Sequence, residues 1–303
     1  MFNSKQNTLP KLSIIIPNYN YGNFIEETIC SVLNQNYKNL EIIIIDGGSS
    51  DNSVDIIKKY EDKITYWISE KDAGQADAIN KGLQVATGDY VAYLNSDDTY
   101  LPNAFNEIFS DKNSWIKDFI YGDVMIGNEL KNCKPNYSKK NKLDLVTLIQ
   151  FYFSASYIIP SQSVFIKRSF LLKNILNSLN INLHYCMDLD WYCRISICNP
   201  TVYKYKKIYS FFRINSNTKT KSQSSKMKNE ALKVAFFYIE KLRIEDKNLF
   251  FKNRLLDKVL YKVYRTEFTP NFWYLLNIVL KTNFLSLTDY RFLGLLKNKI
   301  LFK

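Results

Sequence analysis

The chain has 303 residues, 46% hydrophobic and 23% charged, with a single histidine and a net charge of +12. That length and composition suit one or two globular domains and exclude an intrinsically disordered chain. The longest apolar candidate, Phe272 to Leu280, is interrupted by Asn277, and the opening MFNSKQNTLPK has no apolar h-region, so neither a membrane-spanning nor a secreted protein is expected.

Taken in chain order, the first hundred residues alternate between two periods. Leu12 to Ile16 is a β-branched apolar run stopped by Pro17 and predicts a buried strand. Phe24 to Asn34, with Glu26 and Glu27 in its first turn, predicts a helix. Leu40 to Ile45 predicts a second strand, Ser53 to Tyr60 a short helix, Ile64 to Ile68 a third strand, Ala76 to Ala86 a helix and Tyr90 to Leu94 a fourth strand. Such alternation implies βαβ units and a mainly parallel sheet with both faces covered by helices. From Phe119 to about Tyr209 the pattern is less regular. Strands are expected near Ser163–Ile166 and Thr201–Phe212 and a helix over Ser169–Leu179. Residues 214–228 are polar and basic without apolar periodicity and read as a mobile loop. The remainder, 229–303, is helical in pattern and interleaves Lys and Arg with Leu, Phe and Tyr.

Charge divides the chain. Residues 1–150 carry a net −5 and residues 151–303 a net +17, an acidic half able to hold cations and a basic half suited to polyanions or an anionic membrane. The five cysteines form no C-x-x-C, so no disulfide framework or thiolate zinc site is indicated and a reducing compartment fits.

Ligands of an open α/β sheet bind outside the carboxyl ends of its strands. Three such ends carry polar groups: Asn18-Tyr19-Asn20, Asp46 with Gly47 and Gly48, and Asn95-Ser96-Asp97-Asp98. Asp and Asn are common loop residues, but all three at strand ends point to one crevice. Two adjacent acids, Asp97 and Asp98, are uncomfortable when desolvated unless a cation offsets them, and carboxylate oxygens suit Mg²⁺ or Mn²⁺. The backbone N–H groups of Gly47-Gly48-Ser49-Ser50 offer an approach for a substrate phosphate. Neither G-x-G-x-x-G nor G-K-[ST] occurs, which argues against a dinucleotide dehydrogenase and a P-loop NTPase. A second acidic constellation, Asp188 and Asp190, holds the only acids between Asp144 and Glu230, either as helix caps or as a general base with its orienting partner.

The series SIIIPNYNYGNFIEETICSVLNQNYKNLEIIIIDGGSSDNS, DAGQADAINKGL, GDYVAYLNSDD and MDLDWYCRI resembles the family 2 glycosyltransferases over about residues 12–215. The resemblance implies a GT-A fold, Rossmann-like with a mainly parallel central sheet and flanking helices, followed by a C-terminal helical extension. Residues 1–215 would form this domain, with a donor half over 12–118 and an acceptor half over 119–215. A flexible basic loop over 216–228 and a basic helical region over 229–303 would follow. It implies an inverting, metal-dependent transfer of one sugar from a nucleoside diphosphate sugar to a saccharide or lipid-linked saccharide hydroxyl, in cell-surface polysaccharide synthesis. Uracil is the expected base by family frequency, with thymine and guanine as the alternatives. In residue terms, Pro17 and Tyr19 would pack on or bond to the base and Asp46 would recognise it. Gly74, Asp77, Asn80 and Asn95 would line the donor pocket. Asp97 would lie near the ribose and the metal, Asp98 would bind the Mn²⁺ or Mg²⁺, and Asp188 would act as base with Asp190 sharing its task.

Departures accompany the match. Met187 stands where many members carry Glu, and Asn215 follows Phe211-Phe212-Arg213-Ile214 where relatives often carry His. His184 is either an acceptor or metal contact or an ordinary loop residue. The Q-x-x-R-W motif of polymer-making members is absent, which favours single-sugar transfer. Lys219, Lys221, Lys226 and Lys228 read either as a lid over the diphosphate or as a solvated loop. The tail around Trp273 and Phe292 reads either as a helix on an anionic membrane surface or as one packed on its own domain. The expected location is the cytoplasm, with peripheral contact at the inner membrane face as the first alternative's consequence. A nucleotide-sugar-binding or nucleotidyl-transfer protein of the same fold is the rival reading. Nucleic-acid binding is not expected, because no such motif accompanies the basic residues.

Overall fold

The computed structural model describes residues 9–138, 143–149, 159–215 and 224–245. Strand β1 (Leu12–Asn18) is buried along its whole length and pairs in parallel with β2 (Leu40–Asp46) on one side and β4 (Tyr90–Tyr93) on the other. Strand β3 (Tyr66–Ser69) extends the sheet beyond β2, also in parallel. Helices α1 (Ile25–Leu33), α2 (Ser53–Lys59) and α3 (Gln75–Val85) make the crossovers. Alternation along the strands sends Ile14, Ile16, Ile42 and Ile44 to one face and Ile15, Ile43, Ile45 and Val91 to the other, and each face packs into its own apolar cluster. Helix α3 lies so close to the sheet that a Cβ on Gly82 would stand 2.5 Å from Ile15 Cγ2.

The chain winds outward through β1, β2 and β3 and then returns to the far side of β1 with β4, which creates a topological switch point between β1 and β4. Beyond β4 the sheet becomes mixed. Strands β5 (Thr99–Tyr100), β6 (Phe119–Gly127), β7 (Cys133–Asn136), β8 (Val164–Lys167) and β9 (Val202–Arg213) complete the order β3-β2-β1-β4-β8-β6-β9-β5, with β7 antiparallel to β6. Helices α4 (Ala104–Ser110) and α5 (Lys112–Trp115) precede β6, and α6 (Leu145–Ile149) lies between β7 and β8. Part of the chain's aromatic content sits here, where Tyr100, Phe105 and Phe109 pack around Phe165 at centroid distances of 5.5–6.0 Å.

Helix α7 (Arg168–Lys173) is shorter than the Ser169–Leu179 helix expected from apolar spacing. The chain leaves the helix through Ile175 at φ +55°, with Leu176 N–H donating to Leu171 O at 2.8 Å and Ile175 N–H to Leu172 O at 3.2 Å. This is a Schellman end, whose left-handed position favours glycine and is strained for a β-branched residue. The Ile175 side chain is 84% exposed and contributes little packing. Ile175→Gly is therefore expected to stabilise the fold by about 1 kcal/mol, read as a raised unfolding midpoint. An unchanged or lowered midpoint would mean that the left-handed turn costs nothing here.

Helix α8 (Met187–Ile197) and helix α9 (Ser224–Glu245) pack together on the α3 side of the sheet. Ser224 to Lys228 were expected in a loop; they form the first turn of α9 instead. Buried Ala231, Leu232, Val234, Ala235 and Tyr238 hold that helix, and once it is nucleated each added residue gains a hydrogen bond whatever its side chain. Lys219, Lys221 and the expected amphipathic tail over 246–303 lie outside the described residues. No helix among the described residues is long and apolar enough to cross a membrane.

Candidate active site

A cavity of about 740 Å³ opens at the switch point, over the carboxyl ends of β1 to β4. Pro17, Tyr19, Gly74, Asn95, Asp97 and Asp188 all line it. They arrive from the ends of β1 and β4, the N-terminus of α3 and the first turn of α8.

The loops beneath the cavity are tied to one another. Asn18 faces Asp46 across the β1–β2 pair, and its Nδ2 donates to Asp46 Oδ1 at 2.7 Å. Asp46 also accepts from Ser49 N–H, from the Ser49 hydroxyl and from the Ser69 hydroxyl at 2.6 Å. Burial alone would raise this carboxyl, but the hydrogen bonds from Ser49, Ser69 and Asn18 outweigh it and hold it below the ordinary value. Asp46 does not line the cavity. It is fully buried and anchors the turn that follows β2. That turn is not a phosphate cradle. Gly47 N–H donates to Asn18 O, Ser49 N–H to Asp46 and Ser50 N–H to Asn20 Oδ1, so three of its four donors are already engaged.

The two adjacent acids after β4 separate in role. Asp98 is fully buried and its carboxylate accepts from Arg213 N–H at 2.9 Å, Gln162 Nε2 at 2.9 Å and Asn95 Nδ2 at 3.1 Å. It does not line the cavity. Asp97 does line it, accepting from Asn215 Nδ2 at 3.1 Å. Burial pushes both carboxyls up, Asp98 much further, with the Asp97 charge adding to its shift. Arg213 holds the turn: its Nε donates to Asp97 O at 3.0 Å, and Nη2 pairs with Glu27 at 2.6 Å while the guanidinium lies 5.3 Å from the Phe24 and Phe211 ring centres. A cation fits beside Asp97, because two buried neighbouring carboxylates gain from a compensating charge. No group of three His, Cys, Asp or Glu among the described residues could hold a metal alone, so such an ion would rely on Asp97 and on substrate phosphates.

Asp188 also lines the cavity, from the first turn of α8, partly exposed, with Oδ1 accepting Leu189 N–H at 2.8 Å. Burial, with a smaller contribution from the Glu230 charge, pushes its pKa up to about 6. Asp190 points elsewhere. It pairs with Arg194 at 3.0 Å and accepts from the Tyr238 hydroxyl at 2.9 Å, tying α8 to α9, and does not line the cavity. The separation is geometric, since residues two apart on a helix do not share a face. Asp77 and Asn80 do not line the cavity either. Asp77 accepts Ala73 N–H at 3.1 Å, and Asn80 brackets the Leu179 backbone with bonds of 2.9 and 2.6 Å. His184 lines the cavity across from Gly74.

Glu230 had no distinguishing sequence signal. From α9 its carboxylate accepts the N–H groups of His184 at 2.9 Å, Tyr185 at 2.5 Å and Cys186 at 2.6 Å, and so caps the entry to the helix that carries Asp188. Glu230→Ala leaves those three donors without their acceptor, and a loss of about 1–3 kcal/mol of stability is expected. It also removes a negative charge that raises the Asp188 carboxyl, so the acid limb of any Asp188-dependent rate should move to lower pH. A pH–rate profile with thermal unfolding checks both, and an unmoved limb would mean no electrostatic link.

A sheet with this switch point, crevice and carboxylate placement is the GT-A architecture of glycosyltransferases. The family model for Glycosyl transferase family 2 matches residues 13–170, and the chain belongs to that family. An uncharacterized glycosyltransferase of Rickettsia typhi is 46% identical over 100 residues, covering 33% of this chain and 31% of that protein. One from Haemophilus influenzae is 34% identical over 152 residues, covering 47% and 58%. Matches to the first relatives thus span about a third of their length. Among solved structures, S. aureus TarS 1–349 in complex with UDP-GlcNAc superposes with a TM-score of 0.64 at 18% identity, over 84% of this chain and 72% of that one. The mannosyltransferase PcManGT from Pyrobaculum calidifontis, in complex with GDP-Man and Mn²⁺, gives 0.55 at 16% identity, over 85% and 75%.

Proposed function

We propose that the protein transfers a single sugar from a nucleoside diphosphate sugar to a hydroxyl of a saccharide or lipid-linked saccharide, with inversion, in the building of cell-surface polysaccharide. One observation carries this reading: Asp97 and Asp188 line one cavity at the switch point, and Asp188 has its pKa raised to about 6. The strand ends from β3 to β4 would hold the donor with its diphosphate at Asp97, and the side bounded by β6, β9 and α8 would receive the acceptor. The apolar lining there, from Val124, Ile126, Phe212 and Ile214, suits the hydrophobic faces of sugar rings or an acceptor's lipid portion.

Asp188 then takes the proton of the attacking hydroxyl as that oxygen approaches the anomeric carbon from the face opposite the diphosphate. A carboxylate of ordinary acidity would be a weaker base; one raised toward neutrality remains ionised at pH 7 and holds a proton better. Mn²⁺ or Mg²⁺ held by Asp97 would supply charge neutralisation to the departing diphosphate. Tyr93 and Tyr192 line the cavity near Asp188, and burial keeps both phenols protonated. The relatives' names and the UDP-GlcNAc and GDP-Man complexes of the structural neighbours support this class of donor. The test is release of nucleoside diphosphate from a panel of nucleotide sugars with Mn²⁺ present. Slow release from one donor is expected, and neither binding nor release across the panel would refute the reading.

A further inference from the structure

We propose that the Tyr93 phenol donates its proton to a hydroxyl of the transferred sugar, with the Tyr192 hydroxyl completing the chain behind it, so that a sugar lacking that hydroxyl is rejected. This rests on the nucleotide-sugar reading and deepens it to the chemistry of the sugar. Tyr93 ends β4, the strand that leads into Asp97, and Tyr192 follows Asp188 by one turn of α8 and so shares its face. Both tyrosines line the cavity and belong to the apolar cluster on the α3 side of the sheet. A side chain from the strand that leads to Asp97 thus meets one from the helix that carries Asp188. In an inverting displacement the sugar lies between its departing phosphate and the base. The tyrosine pair therefore borders the space that the ring must occupy.

The pair is short of one partner. Tyr192 is buried, and its hydroxyl is sealed from solvent with no hydrogen bond among the described residues. Its ring is held by Phe119, edge-on at 5.5 Å, and by Trp191 at 6.4 Å, so it cannot swing to find one. The Tyr93 phenol is close enough to act on it, short of a formed hydrogen bond, and the Asp188 charge reaches both. A phenol carries one proton. When Tyr93 sends that proton to an oxygen in the cavity, its lone pairs turn to Tyr192, and the buried O–H gains the acceptor it lacks. Hydrogen bonds chained in this way strengthen one another. A sugar hydroxyl supplies the oxygen, and Ser161, beside Tyr93 at the cavity wall, can take the sugar's own proton in return. A deoxygenated position there leaves the polar pair unsatisfied, which disfavours such a sugar.

Affinities of UDP-glucose, UDP-galactose, UDP-GlcNAc and GDP-mannose, each set against its own nucleoside diphosphate with Mn²⁺ present, would be measured by calorimetry on the full chain. Tyr93→Phe should weaken the bound nucleotide sugar by ~10-fold and leave the affinity of the diphosphate unchanged. Tyr192→Phe should weaken it by ~3-fold, and carries the test if Tyr93→Phe does not fold. Its unfolding midpoint should stay at or above the wild-type value, because the hydroxyl removed has no bond to lose. A structural tyrosine would show the reverse, a lowered midpoint with the affinity ratio intact. Monodeoxy analogues of the bound donor close the cycle: one of them should bind the wild type as weakly as the parent binds Tyr93→Phe, and lose nothing further in that variant. No binding of any diphosphate or nucleotide sugar by the folded wild type would sink the nucleotide-sugar reading and this inference together. Binding whose sugar-to-diphosphate ratio both variants leave intact, or a Tyr192→Phe that is destabilised or does not fold, would overturn the role of the pair alone.

Discussion

Asp188→Asn should lower kcat by ~10²–10⁴-fold, the usual contribution of a positioned general base, with donor affinity little changed. The substitution is isosteric and removes the proton acceptor while leaving the cavity's shape intact. In the wild-type protein the carboxyl titrates near 6 because it is buried. Protonation below that pH disables the base, so kcat should fall about tenfold per pH unit on the acid side and level off above pH 7. That limb should vanish from the residual activity of Asp188→Asn. Turnover measured across pH 5–8, from about one unit below the titration to about two above it, separates the outcomes. A variant with unchanged kcat would place the base elsewhere.

Asp97→Ala and Asp98→Ala should fail in different ways, although the residues are neighbours. Asp97 lines the cavity and its side chain accepts one amide hydrogen bond, from Asn215. Its loss should reduce metal-dependent turnover by ~10²-fold or more, since charge stabilisation by a metal is worth several kcal/mol. Because burial disfavours its charged form, the unfolding midpoint should hardly fall. Asp98 is the acceptor for Arg213 N–H, Gln162 and Asn95 inside the protein. Losing it leaves buried donors unsatisfied at a cost of about 1–3 kcal/mol, a drop of roughly 2–12 °C for a domain of this size. Thermal unfolding beside metal titration of activity distinguishes the pair. A destabilised Asp97→Ala with a stable, metal-blind Asp98→Ala would reverse the assignment.

The contrast between these neighbours shows where local sequence stops being informative. Asp97 and Asp98 share one turn, and what turns Asp98 inward is Arg213, 115 residues away along the chain, together with Gln162. Asp188 and Asp190 are sorted by Tyr238 and Arg194. The partner set that buries Asp46 includes Ser69 on another strand. Glu230 carried no local mark, because the N–H groups it caps are brought near only by folding. Asn215, at the position where relatives often carry histidine, reaches Asp97.

Read alone, the residues determine a great deal: the strand–helix alternation of the first hundred positions, the parallel half of the sheet, the family, and the strand ends where polar groups gather. Those are consequences of apolar periodicity and local turn chemistry, which a linear chain displays directly. Only the tertiary structure decided which carboxylate of each group faces the cavity, where α7 stops and how far α9 reaches toward Ser224. Each of those outcomes depends on which distant backbone and side-chain groups satisfy a buried charge or cover an apolar face, and that pairing exists only once the sheet and its helices have closed around it.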